Sequence, residues 1–197
     1  MLIAFEGIDC AGKTTLIRAL SSRICCVICE EMTSPIGPSI RTLLSQRGSF
    51  FLKTFFFAAD RAWLYENIAL PALKNSKIVL WDRYVDSALA YRYAEIEQAD
   101  IIDYDFVKTI NQPFPTPDLT IYINIDVNES INRAKRAMRH EPYDERFLTY
   151  VKAFYDKKYE NTEKCMILDG KKKTEELCEH IIKSIEALQV DGEHYRK

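Results

Sequence analysis

Glycine is scarce in this chain, at 6 of 197 residues, and histidine scarcer still at 3. No internal repeat or low-complexity linker interrupts the sequence, and His140, His180 and His194 have no evident partners that would give them a catalytic role. Net charge is only −2, with acidic and basic residues interleaved, so the electrostatic footprint of a protein that grips long nucleic acid is missing. No apolar run approaches the roughly 20 residues that cross a bilayer, and Met1 to Phe5 meets Glu6 too early for a signal segment. The expectation is a cytoplasmic protein with no membrane and no nucleic-acid partner, acting on a small anion. Among the 6 cysteines, Cys26-Val27-Ile28-Cys29 has C-x-x-C spacing, but no second cluster completes a zinc site. The thiols from Cys25 to Cys29 flank an apolar strand and read as buried.

What is present is a chain 47% hydrophobic, long enough to give one domain, 1–197, a sizeable core. Apolar runs at Leu2 to Phe5, Val27 to Cys29, Ile78 to Trp81, Leu119 to Ile125 and Met166 to Leu168 read as five buried parallel strands. Helical periodicity lies between them, about Lys13 to Ser22, Pro38 to Leu44, Leu52 to Leu73, Asp86 to Tyr93, Asp103 to Asn111, Glu129 to Met138, Glu145 to Asn161 and Lys173 to Leu188. Gln112-Pro113-Phe114-Pro115-Thr116-Pro117-Asp118 breaks the chain before the fourth strand. Strands alternating with helices predict an α/β fold, a five-stranded parallel sheet flanked by helices.

Gly7-Ile8-Asp9-Cys10-Ala11-Gly12-Lys13-Thr14 satisfies G-x-x-x-x-G-K-[ST] between an apolar strand and an amphipathic helix, the setting a phosphate loop requires. Its two glycines let backbone N–H groups turn onto a β-phosphate, and the helix that opens at Lys13 presents its positive end to the same charge. Lys13 reaches toward the β- and γ-phosphates, and the Thr14 hydroxyl is a magnesium ligand. The ATP cradle therefore runs through Gly7, Ile8, Asp9, Cys10, Ala11, Gly12, Lys13, Thr14 and Thr15. Cys10 sits near a helix N-terminus, a setting that lowers a thiol's pKa, and its oxidation would block nucleotide binding. The third strand ends in Trp81-Asp82-Arg83-Tyr84, at the edge where open α/β sheets place their ligands. Asp82 is positioned to orient a magnesium shell, and Arg83 to fork onto a phosphate.

These motifs together resemble the thymidylate kinase family over nearly the whole chain. The family's F-E-G-x-D-x-A-G-K loop is matched by Phe5-Glu6-Gly7-Ile8-Asp9-Cys10-Ala11-Gly12-Lys13, and its D-R-Y strand end by Asp82-Arg83-Tyr84 with Ser87 and Ala90-Tyr91 beyond. Its F-x-x-x-R is matched by Phe57-Ala58-Ala59-Asp60-Arg61, and the stretch after its second strand by Ser34-Pro35-Ile36-Gly37. The resemblance implies a P-loop NTPase fold with a short lid and transfer of a phosphoryl group from ATP to dTMP, with Mg²⁺. It implies that Phe57 stacks on thymine, that Arg61 donates to thymine O4, and that Tyr91 crowds the sugar 2′ position. It places Asp9, Arg83 and Ser87 at the acceptor nucleotide. It also implies a homodimer paired through helices that include Phe55-Phe56-Phe57, whose side chains span about 200° of helix, more than one core-facing stripe needs.

Arg133, Lys135, Arg136 and Arg139 lead into His140-Glu141-Pro142-Tyr143-Asp144, a segment that reads as a lid at about 136–145. With Cys10 in place of the loop Arg that some members carry, the resemblance is to the basic-lid type, in which Arg136 or Arg139 meets the transferring phosphoryl group. The catalytic set is then Lys13, Arg83, Asp9, Arg136 and Arg139. One departure is plain: the family's R-E-P after the second strand is replaced by Cys29-Glu30-Glu31-Met32-Thr33, and Arg41 is the nearest candidate to compensate. Two alternatives stay open. A deoxynucleoside kinase would use Glu30 or Glu31 as a base for a sugar hydroxyl, and a nucleotide-dependent switch would signal by changing shape, although no N-K-x-D guanine motif is present.

Overall fold

The computed structural model describes residues 1–45, 50–99, 104–138 and 144–194. Five strands, β1 (Leu2–Glu6), β2 (Cys26–Glu30), β3 (Ile78–Asp82), β4 (Leu119–Asn124) and β5 (Cys165–Asp169), form one sheet in the order β2-β3-β1-β4-β5. Every pairing is parallel. Around it lie α1 (Lys13–Ser21), α2 (Gly37–Ser45), α3 (Phe50–Leu64), α4 (Leu70–Lys74), α5 (Val85–Ala99), α6 (Tyr104–Asn111), α7 (Val127–Arg136), α8 (Glu145–Tyr159) and α9 (Thr174–His194). The expected five-stranded parallel architecture is present.

Position in the sheet decides burial. The inner strands β1 and β3 are buried along their whole length. On the edges, β2 and β5 expose alternate residues, so Ile28 and Ile167 are 39% and 50% exposed. The reading of five fully buried strands is corrected there, because an edge strand has a neighbour on one side only. The thiols beside β2 follow suit: Cys29 is buried, but Cys26 is half-buried and Cys25 exposed.

Alternation along β1 sends Leu2 and Ala4 into one cluster with Val79, Trp81, Leu64, Ala69 and Ala72. Ile3 and Phe5 join another with Leu16, Ile17 and Leu20 of α1 and Leu177 and Ile181 of α9. Each fully buried Ile, Leu or Phe contributes about 1.5–3 kcal/mol. The single helix expected over Leu52 to Leu73 is interrupted by a π turn at Tyr65–Ala69. Pro71 follows at the start of α4. A proline ring crowds the carbonyl four residues back, and the wider turn gives it room.

Register fixes the functional edge. Phe5 lies opposite both Asp82 and Ile121, and Glu30 also lies opposite Asp82. The carboxyl ends of β1, β2 and β3 are therefore level, and the loops after them open to the same side. The segment expected to act as the lid falls largely on 139–143, outside the described residues, and Arg139 with it.

Candidate active site

The phosphate loop follows β1 in a conformation its glycines permit. Gly7 has φ 142° and Gly12 φ 103°, and a Cβ on Gly7 would stand 2.6 Å from the Ile123 carbonyl oxygen. Helix α7 braces the loop from outside. Ser130 Oγ donates to the Asp9 carbonyl at 2.7 Å. Arg133 donates to Ala11 O at 3.2 Å and Gly170 O at 2.8 Å, and pairs with Glu129. Arg133 was grouped with the lid cations by its position in the sequence, but in three dimensions it grips the loop. Its signal was Glu129 four residues earlier, one helical turn away. Arg136 is 69% exposed in its side chain and also reaches Glu129.

Lys13 is buried, and its ammonium donates to Gly7 O and Ile8 O, both at 2.8 Å. Burial, reinforced by the positive charge of Arg83, lowers its pKa to about 8. Thr14 Oγ1 donates to Asp82 Oδ2 at 2.6 Å, while the other oxygen, Asp82 Oδ1, is buried without a hydrogen-bond partner among the described residues. A carboxylate oxygen orphaned beside a hydroxyl is the donor pair a magnesium ion takes. No cluster of three His, Cys, Asp or Glu exists among the described residues; a magnesium ion is commonly held by one or two protein oxygens with waters and substrate phosphates. The residues present fit Mg²⁺. Together with Asp9, Cys10, Gly12, Thr15, Glu30 and Arg133, these groups line a cavity of about 980 Å³.

A second cavity, about 740 Å³, adjoins it and is lined by Asp9, Glu31, Met32, Leu44, Thr54, Phe57, Arg83, Ser87, Ala88, Tyr91 and Arg92. Five segments build it: the phosphate loop, the turn after β2, α2, α3, and the β3–α5 junction with α5. Arg83 has φ 65°, an unusual left-handed conformation for a side chain of its size, costing about 1–3 kcal/mol. It is sustained by neighbours. Arg83 N donates to Phe5 O, and the buried Glu6 carboxylate accepts from Tyr84 N, Ser87 N, Ser87 Oγ and the Tyr155 hydroxyl. The guanidinium then pairs with Asp9, donates from Nη1 to the Tyr91 hydroxyl oxygen at 3.1 Å, and lies over the Tyr91 ring. Tyr91 OH donates to Asp9 Oδ2 at 2.7 Å, closing a triad that aims Arg83 before any ligand arrives.

The sequence-predicted residues divide on this geometry. Lys13, Thr14, Asp82 and Arg83 converge; Asp9, Phe57 and Tyr91 line the second cavity. Ser87 lines it too, with its hydroxyl engaged by Glu6 and Tyr155. Arg61 is not among the lining residues. It is 2% exposed and held by Asn111 Oδ1 at 2.5 Å, Tyr84 O at 3.3 Å, Glu31 at 3.8 Å and the Phe114 ring. Arg41 is not among the lining residues either; it donates to Met32 O at 3.0 Å. Asp60 holds the same turn by accepting from Met32 N and Ser34 N. Sequence reasoning missed the bracing role of Glu6 and the places of Thr54 and Arg92 in the cavity wall, and it had Glu31 only as a candidate base. Glu6 had a signal, a lone charge ending an apolar strand; Thr54 and Arg92 had none.

A phosphate loop and an arginine-lined pocket sharing one sheet edge define a P-loop phosphotransferase. The thymidylate kinase family model matches residues 5–181. Among curated relatives, thymidylate kinase of Fervidobacterium nodosum is 32% identical over 205 residues, covering 95% of this chain and 99% of its own. A probable thymidylate kinase of Methanospirillum hungatei is 30% identical over 177 residues, 86% of each chain. The crystal structure of thymidylate kinase from Ehrlichia chaffeensis superposes with a TM-score of 0.71 at 28% identity, covering 94% of this chain and 98% of that one. The chain belongs to the thymidylate kinase family. These matches do not favour the nucleoside-kinase alternative.

Proposed function

We propose that the protein transfers the γ-phosphoryl group of ATP to dTMP, forming dTDP and ADP. The observation that carries this reading is the shared wall of the two cavities: Asp9, Glu31, Met32 and Arg83 line both. A donor phosphate tail in the first cavity and an acceptor phosphate in the second then meet at Arg83, the positioning that in-line transfer requires.

The chemistry asks little of the protein beyond positioning and charge. A phosphate monoester has a second pKa near 6 and is largely dianionic at neutral pH, so no general base is needed. Arg83, pre-aimed by Asp9 and Tyr91, forks onto the acceptor phosphate. Lys13 leaves its two loop carbonyls for the donor's β- and γ-oxygens, and the loop N–H groups cradle the β-phosphate. Thr14 and Asp82 would hold Mg²⁺, which supplies charge neutralisation to the donor phosphates when bound. Arg136 or Arg139 completes the charge around the transferring group. Phe57 stacks on the base, and Tyr91, beside Asp9, crowds the sugar 2′ position.

Homodimer formation belongs to the same proposal. Phe51, Leu52 and Phe55 are 47%, 46% and 51% exposed on α3, with Phe51 and Phe55 edge-on to Phe106. Burial of such a face against a second copy removes it from water. No helix among the described residues is long and apolar enough to cross a membrane, in keeping with a cytoplasmic setting.

Incubation with ATP, Mg²⁺ and either thymidine or dTMP, followed by measurement of ADP, tests the reading. Turnover with dTMP alone is expected. Turnover with thymidine alone would overturn it.

A further inference from the structure

Arg83 depends on two supports, and one helix stands behind both. Its left-handed backbone is held between hydrogen bonds to successive residues of β1: Arg83 N donates to Phe5 O at 3.1 Å, and Tyr84 N to Glu6 Oε1 at 3.0 Å. Glu6 is wholly buried and divides its acceptors. Oε1 takes Tyr84 N and Ser87 N, while Oε2 takes the hydroxyls of Ser87 and Tyr155. Three of these four donors belong to the β3–α5 junction that the carboxylate is holding, so they move with it. The fourth, the Tyr155 hydroxyl at 2.9 Å, comes from α8. Burial and the neighbouring Asp86 push the Glu6 pKa up, and the Ser87 and Tyr155 hydroxyls and Tyr84 N pull it back, favouring the ionised acceptor.

Tyr155 is a fixed reference point for that carboxylate. It is fully buried, and its ring stacks on Tyr122 of β4, 5.4 Å away, and on Tyr159, 6.0 Å away. Tyr122 OH in turn donates to Asp156 Oδ1 of α8 at 2.7 Å, so the phenol is tied to the sheet independently of the junction. The second support is Tyr91, whose hydroxyl meets both Asp9 and Arg83. Phe147, about two turns before Tyr155 in α8, is buried with its ring 5.9 Å from that of Tyr91. Neither Tyr155 nor Phe147 lines the donor or the acceptor cavity.

We propose that Tyr155 and Phe147 are positioning residues for phosphoryl transfer: acting through Glu6 and Tyr91, they let helix α8 set the aim of Arg83 on the acceptor phosphate. A forked cation misplaced by a fraction of its hydrogen-bond length loses one of its two bonds, so a residue that never touches the nucleotide still governs transfer. This inference rests on the dTMP reading above and assigns what holds its acceptor clamp in place.

The test is steady-state kinetics with dTMP and ATP for the wild type, Tyr155→Phe, Phe147→Leu and Tyr159→Phe, with the first two substitutions repeated in an Arg83→Lys background. Tyr155→Phe removes one oxygen and keeps the stacked ring; kcat/KM for dTMP should fall by about tenfold while KM for ATP stays within about twofold. Phe147→Leu should show the same split with a loss of about fivefold. Tyr159→Phe is the control: it removes a hydroxyl bond from the same helix, to Asp86 Oδ2 at 2.6 Å, and should leave kcat/KM for dTMP within about twofold of wild type. In Arg83→Lys the added loss from either substitution should shrink to about twofold or less, because no fork is left to aim. Wild-type kcat/KM for dTMP in both Tyr155→Phe and Phe147→Leu overturns the inference, as does an equal loss in Tyr159→Phe, a matching rise in KM for ATP, or a fully additive loss in the Arg83→Lys background. Should Tyr155→Phe fail to fold, Phe147→Leu in the two backgrounds decides by the same criteria. A wild type that does not phosphorylate dTMP overturns the reading beneath it.

Discussion

The two adjoining cavities are built differently. The floor of the donor cavity is one contiguous loop, lining it with Asp9, Cys10, Gly12, Lys13, Thr14 and Thr15, and Glu30 to Met32, Asp82, Arg83, Arg133 and Ala137 close around it. The acceptor cavity draws on Asp9, Glu31, Leu44, Thr54, Phe57, Arg83 and Arg92, from five separate segments. A phosphate tail has the same shape and charge in every nucleotide, so one backbone loop can bind it. A base and its sugar differ between nucleotides, and side chains gathered from several elements are needed to tell them apart. Binding and transfer should therefore fail through the first cavity, and selectivity through the second.

The largest effect should follow from Lys13→Ala. Loss of a buried cation aimed at developing phosphate charge is expected to lower kcat by about 10³-fold or more, measured by ADP release with the fold checked by circular dichroism. Near wild-type activity would remove the phosphate loop from the mechanism. Arg83→Lys keeps one charge but loses the fork held by Asp9 and Tyr91, and should lower kcat/KM for dTMP by about 10²-fold. An equal loss for ATP affinity would show that the wall between the cavities is not divided as drawn.

Arg61→Ala tests the frame against the pocket. A buried guanidinium that holds Asn111, Tyr84 and Glu31 should cost about 3 kcal/mol of stability when removed, because Glu31 loses its closest cation. Chemical denaturation measures it. An unchanged dTMP:dCMP ratio in the surviving folded protein would confine Arg61 to the frame, and a lowered one would give it the base as well.

Two pH effects are smaller. Lys13, with its pKa lowered to about 8 by burial and by Arg83, carries its charge below that pH and loses it above. ATP affinity of the free enzyme should therefore weaken as pH rises through about 8, read by equilibrium titration. Burial pushes Glu31 up to about 7, against the pull of Arg61 and Arg83. It is neutral below that value and an anion in the wall of the second cavity above it. Glu31→Gln should bind dTMP more tightly above about pH 7, by about fivefold, and match wild type below pH 6. The acceptor's own titration is common to both proteins, so their difference isolates the carboxyl group.

Legibility in the sequence followed locality. Lys13 and Thr14 were readable because the loop that positions them is contiguous, and Asp82-Arg83 because a buried strand ends there. The basic run at the end of α7 was readable as charge but not as direction: Arg133 turns inward to the loop carbonyls, and Arg136 stays exposed. Edge exposure of β2 and β5 was hidden for the same reason, since strand order is not written in any one strand.

By itself, then, the sequence determined the parallel α/β class, the donor cradle and the family, because strand periodicity and a contiguous phosphate loop are local properties of the chain. Tertiary structure alone decided which arginine lines the second cavity. Arg61 and Arg92 are both helical cations near aromatic residues, but Asn111, Tyr84 and Glu31 close around the first and leave the second open to the cavity. Those neighbours come from distant segments, and only folding brings them within hydrogen-bonding reach.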